Sequence, residues 1–220
     1  VNFAGLGGGY IFKDDSLFLS IGTPTHISDD IDLYAQEEKS VFGKILKFKK
    51  DDQTIYETYS SGHRNPQGLT LAGNNLYSTE HGPQGGDELN KITQNKNYGW
   101  PIASLGTRYG GKSYKKSHSL NNFVEPIFSF LPAIAPSDLT TCPLNLKNYY
   151  KEYLCLIGLT LREMSIMIYL IDEKKNKLIS FEKIPTDKRL RHFGLNKDGK
   201  LHLDKEKNIY ISSDKDGVYK

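Results

Sequence analysis

An all-β chain of the β-propeller type is predicted by three observations. A strand-like unit recurs, each copy is followed by a second strand, and Gly-rich polar turns separate them. The unit is a polar turn that leads into an alternating apolar run and closes on small or polar residues. It occurs at 15–22, 74–81 and 207–214, with a looser copy at 149–158. The second strands lie at 43–48, 87–92, 165–170 and 217–220.

The anchors Leu17, Leu76, Leu154 and Ile209 stand 59, 78 and 55 residues apart. That spacing is too long for a small solenoid repeat and suits a four-stranded blade carrying insertions. The four recurrences predict roughly four blades within one domain, 1–220. A β-sandwich is the competing fold, because sandwich strands alternate too; the paired-strand recurrence favours the propeller, where ring closure hides strand edges. The insertions at 23–40 and 105–122 read as loops.

The chain has 220 residues, 37% hydrophobic and 25% charged, the balance of an ordinary soluble globular domain. A net charge of +3 does not argue for nucleic acid, and the basic run Lys112-Ser113-Tyr114-Lys115-Lys116 reads as a solvated loop. No apolar stretch approaches the roughly 18 residues of a membrane span. The chain opens at Val1 inside a Gly-rich loop, with no initiator Met or signal peptide, so it is read as lacking its natural N-terminus. Cys142 and Cys155 lie 13 apart; a disulfide is open to them, and two buried free thiols are the favoured expectation.

Three segments carry chemistry. Gly62-His63-Arg64-Asn65-Pro66-Gln67-Gly68 places a guanidinium, an imidazole and two amides in a Gly-flanked loop, able to hold a fixed cation against a carboxylate or carbonyl oxygen. Alone, it also reads as a turn bonding its own backbone. Glu80-His81-Gly82-Pro83-Gln84-Gly85-Gly86-Asp87-Glu88 offers carboxylates and carbonyls of the kind hard cations take, without EF-hand spacing. In Asn97-Tyr98-Gly99-Trp100-Pro101 the aromatic pair reads first as core, with Tyr98 able to lend its oxygen to a site. Arg189 and Arg191 sit two apart on a strand, hence on one side of it, and Arg162 is placed to join them at an anion site.

In that order these strings resemble the soluble pyrroloquinoline quinone (PQQ)-dependent aldose sugar dehydrogenases, the glucose/sorbosone dehydrogenase family. Ala135-Pro136-Ser137 resembles a further marker, and Arg189-x-Arg191 with the Lys-Asp-Gly turn after it resembles the last. The resemblance spans nearly all 220 residues and is strongest over 43–101. It implies a six-bladed β-propeller of which this chain holds about four blades. It implies PQQ in the central channel with Ca²⁺ at its quinone edge, oxidation of an aldose at C1 to the lactone, an electron acceptor that the sequence does not name, and a periplasmic or secreted location. Residue by residue it implies that Arg64, Asn65, Gln67, His81 and Asp87 contact the cofactor, Arg64 polarising a quinone oxygen. Arg162, Arg189 and Arg191 would neutralise its carboxylates, and Gly82, Pro83, Glu88 and Tyr98 would serve the metal.

The sequence departs from the family in two places. The family's general-base His falls at Gly5, and a family Thr falls at Ala133. Glycine takes no proton, so the competing expectation is a propeller that binds a ligand or a protein without turnover. His26 is a candidate substitute base, and a Ca²⁺-dependent lactone hydrolase is a third, weaker reading, since the arginines suit an anionic cofactor better.

Overall fold

The computed structural model describes residues 5–24, 33–49, 51–52, 54–110, 113–196, 200–215 and 217–220. Each recurrence found in the sequence is a pair of adjacent antiparallel strands. The first pair is β2 (Ser16–Ile21) with β3 (Lys44–Lys49), flanked by β1 (Gly7–Lys13) and β4 (Tyr56–Ser61). The second is β6 (Asn75–Glu80) with β7 (Asp87–Ile92), preceded by β5 (Pro66–Ala72). The short β8 (Lys96–Asn97) adds to β4 in parallel, and β9 (Phe128–Phe130) closes the outer edge on β7.

The third sheet runs β10 (Pro136–Thr141), β11 (Leu154–Thr160), β12 (Ser165–Asp172) and β13 (Lys177–Pro185), in that order. The fourth is β14 (Leu190–Phe193), β15 (Ile211–Ser213) and β16 (Val218–Tyr219). The looser copy starts late: 144–149 form the short helix α1 (Leu144–Tyr149), and the strand begins only at Leu154. In the last copy Ile209 makes a single bridge to Leu203 before β15 starts.

Four sheets pack face on face in succession, as blades do, where a sandwich has only two. One apolar layer joins the first and second sheets through Ile11, Phe18, Ile45, Leu69, Leu76 and Tyr98. Tyr77, Leu89, Leu139, Leu156 and Tyr169 join the second and third. Ile157, Leu159, Ile168, Phe193 and Ile211 join the third and fourth. Each such side chain, fully buried, contributes about 1.5–3 kcal/mol. The first strands of the four sheets, β1, β5, β10 and β14, contact one another in sequence. At Gly68 this approach is so close that a Cβ would lie 2.5 Å from Thr79 Oγ1 and 2.6 Å from Leu139 Cβ.

One sequence expectation is overturned. Cys142 and Cys155 are joined in a disulfide, with Cα atoms 5.5 Å apart. They face each other because the β10–β11 register brings the Cys142 N–H to the Cys155 carbonyl at 3.1 Å. Among the described residues, no helix is long and apolar enough to cross a membrane.

Candidate functional site

The two Gly-rich loops meet where β5 begins and β6 ends; Pro66 pairs with Glu80. Gly62 (φ +76°) makes the turn into the first loop, and a Cβ there would overlap Asn97 Oδ1 at 2.1 Å. Thr23 fastens this loop from the first sheet: its N–H donates to the Arg64 carbonyl and its hydroxyl to the His63 carbonyl, at 2.7 and 2.8 Å. Beneath it lies a buried polar chain. His63 Nε2 meets Ser60 Oγ at 2.8 Å, Nδ1 faces Glu80 Oε1 at 3.5 Å, and the ring stacks on Tyr98 with centroids 4.7 Å apart.

Arg64 is the cation that this scaffold presents. Its backbone N–H donates to Glu80 Oε2 at 3.0 Å and a terminal guanidinium nitrogen donates to the His81 carbonyl at 3.2 Å. Its Nε is buried without a hydrogen-bond partner among the described residues. Burial pulls the guanidinium below its usual pKa, against the opposing pull of Tyr109, Tyr114, Asp87 and Glu80. Asn65 Oδ1 accepts the Gly7 N–H at 3.0 Å and the Gln67 amide at 2.7 Å, and Gln67 also reaches the Gly7 carbonyl at 3.3 Å. Gly5 lies against this amide cluster: a Cβ there would sit 3.4 Å from the Asn65 side chain.

His81 donates from Nε2 to the Pro136 carbonyl at 2.7 Å. Burial holds its pKa below the usual value and so favours the neutral imidazole. Asp87 is buried, and backbone amides occupy it. Oδ1 accepts the Gly82 N–H at 2.9 Å, and Oδ2 accepts those of Ile134 and Ala135 at 2.8 and 2.6 Å. It therefore latches the second sheet to the third. Glu88 shares the Asn90 amide with Glu80, and burial beside that second carboxylate pushes its pKa well up.

A cavity of about 10 Å³, room for about one water, is lined by Arg64, His81, Gly82, Glu88, Tyr98 and Trp100, among others. The Tyr98 hydroxyl is turned away: it donates to the Lys91 carbonyl at 2.5 Å and accepts the Thr93 N–H at 2.9 Å, which leaves the backbone carbonyl as the oxygen Tyr98 has to offer. The Pro83 carbonyl accepts the Tyr109 hydroxyl at 2.8 Å. Among the described residues, no group of three or more His, Cys, Asp or Glu side chains is arranged to hold a metal.

The distal arginines form a second cationic group. Arg189 Nε donates to Asp214 Oδ2 at 2.8 Å, Arg191 Nε donates to Asp214 Oδ1, and Arg189 also reaches the Leu161 carbonyl at 3.4 Å, next to exposed Arg162. This shared partner, Asp214, had no signal in the sequence because it lies 23 residues past Arg191 in a polar turn. Glu80 stood inside the loop motif with no role assigned, and Trp100 was read as core although its ring lies under Arg64. Ala133 is half-buried beside Ile134. His26, Lys112 and the turn 197–199 lie outside the described residues.

The family model described as Glucose / Sorbosone dehydrogenase matches residues 5–211. The uncharacterized protein slr1608 of Synechocystis sp. is 37% identical over 147 residues, covering 58% of this chain and 36% of that protein. Aldose sugar dehydrogenase YliI of Escherichia coli is 47% identical over 66 residues, 29% of this chain and 18% of the enzyme. The PQQ-bound aldose sugar dehydrogenase of Streptomyces coelicolor superposes with a TM-score of 0.68 at 23% identity, covering 94% of this chain and 55% of that structure. The chain thus spans well under two thirds of each of these proteins.

Proposed function

The chain belongs to the glucose/sorbosone dehydrogenase family, and from that premise we propose that it takes part in PQQ-dependent oxidation of an aldose at C1 to its lactone. The observation that carries this reading is Arg64: a half-buried cation whose backbone is held by Glu80 and whose guanidinium reaches the His81 carbonyl, with a buried Nε that has no hydrogen-bond partner among the described residues, at the meeting point of both loops. The charge of the residues present suits an organic polyanion. Arg64 lies at one side, and Arg189, Arg191 and exposed Arg162 supply further positive charge.

When bound, PQQ would supply a quinone able to accept hydride from the sugar carbon. Arg64 would hold positive charge against a quinone oxygen in a partly dry site, where a fixed cation acts most strongly. Asn65 and Gln67, locked to each other and to Gly7, would present amides of fixed orientation. His81, its Nε2 proton committed to Pro136, would face the cofactor as a neutral ring. Asp87 would act indirectly, by holding Gly82 in place. The carbonyls of Gly82 and Pro83, with Glu88 and the Tyr98 carbonyl beside them, have the oxygen chemistry that suits Ca²⁺. The disulfide Cys142–Cys155 supports a periplasmic or secreted location, since such bonds persist in oxidising compartments.

A second reading is favoured by Gly5, which lies against Asn65 and offers no proton acceptor. On that reading the protein binds the cofactor or another partner without turnover. The deciding experiment measures the thermal shift with PQQ and Ca²⁺, then aldose oxidation with a dye acceptor. A shift with turnover supports the enzyme, a shift without turnover supports the binding module, and no shift overturns both, because a ligand specific for the native state must stabilise it.

A further inference from the structure

Residues 103–109 and 113–118 line and flank the site, and Tyr114 reaches it. Tyr114 is buried, and its ring lies 5.3 Å from the Trp100 ring, tilted by 48°. The Arg64 guanidinium lies over the Trp100 ring at 5.3 Å, and the Arg108 guanidinium over the Tyr114 ring at 4.5 Å. The order is cation, ring, ring, cation. Two contacts dock 103–109 on the second loop: the Tyr109 hydroxyl on the Pro83 carbonyl, and a bridge between Gln84 and Thr107.

One hydrogen bond from a terminal nitrogen does not fix the direction of a planar guanidinium. Arg64 Nε and Trp100 Nε1 are both buried without a hydrogen-bond partner among the described residues, so hydrogen bonds at these two edges supply no second constraint. The indole face does. A cation over a π face is attracted by the ring quadrupole, more strongly where water is excluded. The indole in turn rests on Tyr114.

We infer that Trp100 and Tyr114 are positioning residues that hold the Arg64 guanidinium in its working direction, so that Tyr114, remote in sequence from the Arg64 loop, helps to set affinity for the anionic ligand. This inference rests on the reading that Arg64 meets PQQ. The test is a double-mutant cycle on the dissociation constant of PQQ in the full chain. Tyr114→Leu is expected to weaken binding by about 2- to 30-fold, the range a cation–π contact spans. Tyr114→Phe, which keeps the ring, should stay within about twofold of the unmutated chain on the same physical ground. In an Arg64→Met background Tyr114→Leu should add nothing further. An equal loss in both backgrounds, or no loss in either, overturns the inference.

A second measurement needs no cofactor. Trp100 is the only Trp in the 220 residues, so the near-ultraviolet circular dichroism of the indole reports the column directly. Arg64→Met and Tyr114→Leu should each alter that band while far-ultraviolet spectra stay native. Unaltered bands overturn the column. If the unmutated chain binds no PQQ, the functional reading fails first, and the column then stands or falls on this spectrum.

Discussion

Arg64 and Glu80 are joined through the backbone, not through their charges. Glu80 Oε2 accepts the Arg64 N–H at 3.0 Å, while the guanidinium turns to the His81 carbonyl. The carboxylate fixes where the arginine starts and leaves its charge for another partner. Its other oxygen accepts the Asn90 amide at 2.9 Å. Glu80→Gln puts an NH₂ where one of these donors points. The expected cost is about 1–3 kcal/mol of stability, read by urea denaturation, together with weaker PQQ binding. Unchanged stability would show that the two donors find other acceptors.

Gly5 has room for a side chain: the nearest atoms to a Cβ there are at ordinary contact distance, although its φ of +79° is adverse. Gly5→His should cost about 1–2 kcal/mol of backbone strain. In exchange it restores an imidazole beside Asn65. If loss of the base limits turnover, aldose oxidation with PQQ should rise by about 10²–10⁴-fold.

Asp214 bridges Arg189 and Arg191 at the surface and partly cancels their charge. Asp214→Asn should tighten binding of a polyanion by about 2- to 5-fold, the scale of an exposed ion pair, and the gain should shrink in high salt. Isothermal titration with PQQ at two salt concentrations measures this. Weaker binding would mean that the aspartate's orienting role outweighs its charge.

Removing the disulfide frees a short loop in the unfolded chain. The double substitution Cys142→Ser, Cys155→Ser should lower stability by about 3 kcal/mol on the loop-entropy estimate. A reductant acting on the unmutated protein should produce a similar loss, measured as the urea midpoint with and without dithiothreitol.

Burial lifts the Asp138 carboxyl to about 6, against the opposing pull of the Phe193 and Leu139 N–H groups and His192. The folded state therefore holds this proton more tightly than the unfolded chain does. Stability from this group is full below the ordinary carboxylate pKa and falls as pH rises from about 4 to about 6, by about 3 kcal/mol at about 1.4 kcal/mol per unit. Asp138→Asn should flatten that part of the stability–pH curve. A curve that keeps its slope would assign the effect to another group.

What was legible in the sequence was local. The alternation at 74–81 and 87–92 gave β6 and β7 because strand periodicity is written in neighbouring residues. The Cys pairing was not legible, since a spacing of 13 does not reveal that β10 and β11 place the two residues opposite each other. The amides that occupy Asp87, those of Ile134 and Ala135, are 47 and 48 residues away and arrive only with the third sheet. The Tyr98 hydroxyl is held by Lys91 and Thr93, a contact that a motif read along the chain does not show. Resemblance brought the loops together in order; only three dimensions bring Tyr114 under Trp100.

The two aspartates Asp87 and Asp138 have a mechanical consequence. Asp87 binds the amides that precede β10, and Asp138 binds the Phe193 amide of β14 at 2.8 Å. The outer strand β13, by contrast, is largely exposed. Carboxylates thus pin the second sheet to the third and the third to the fourth, like rivets through the leaves of a fan.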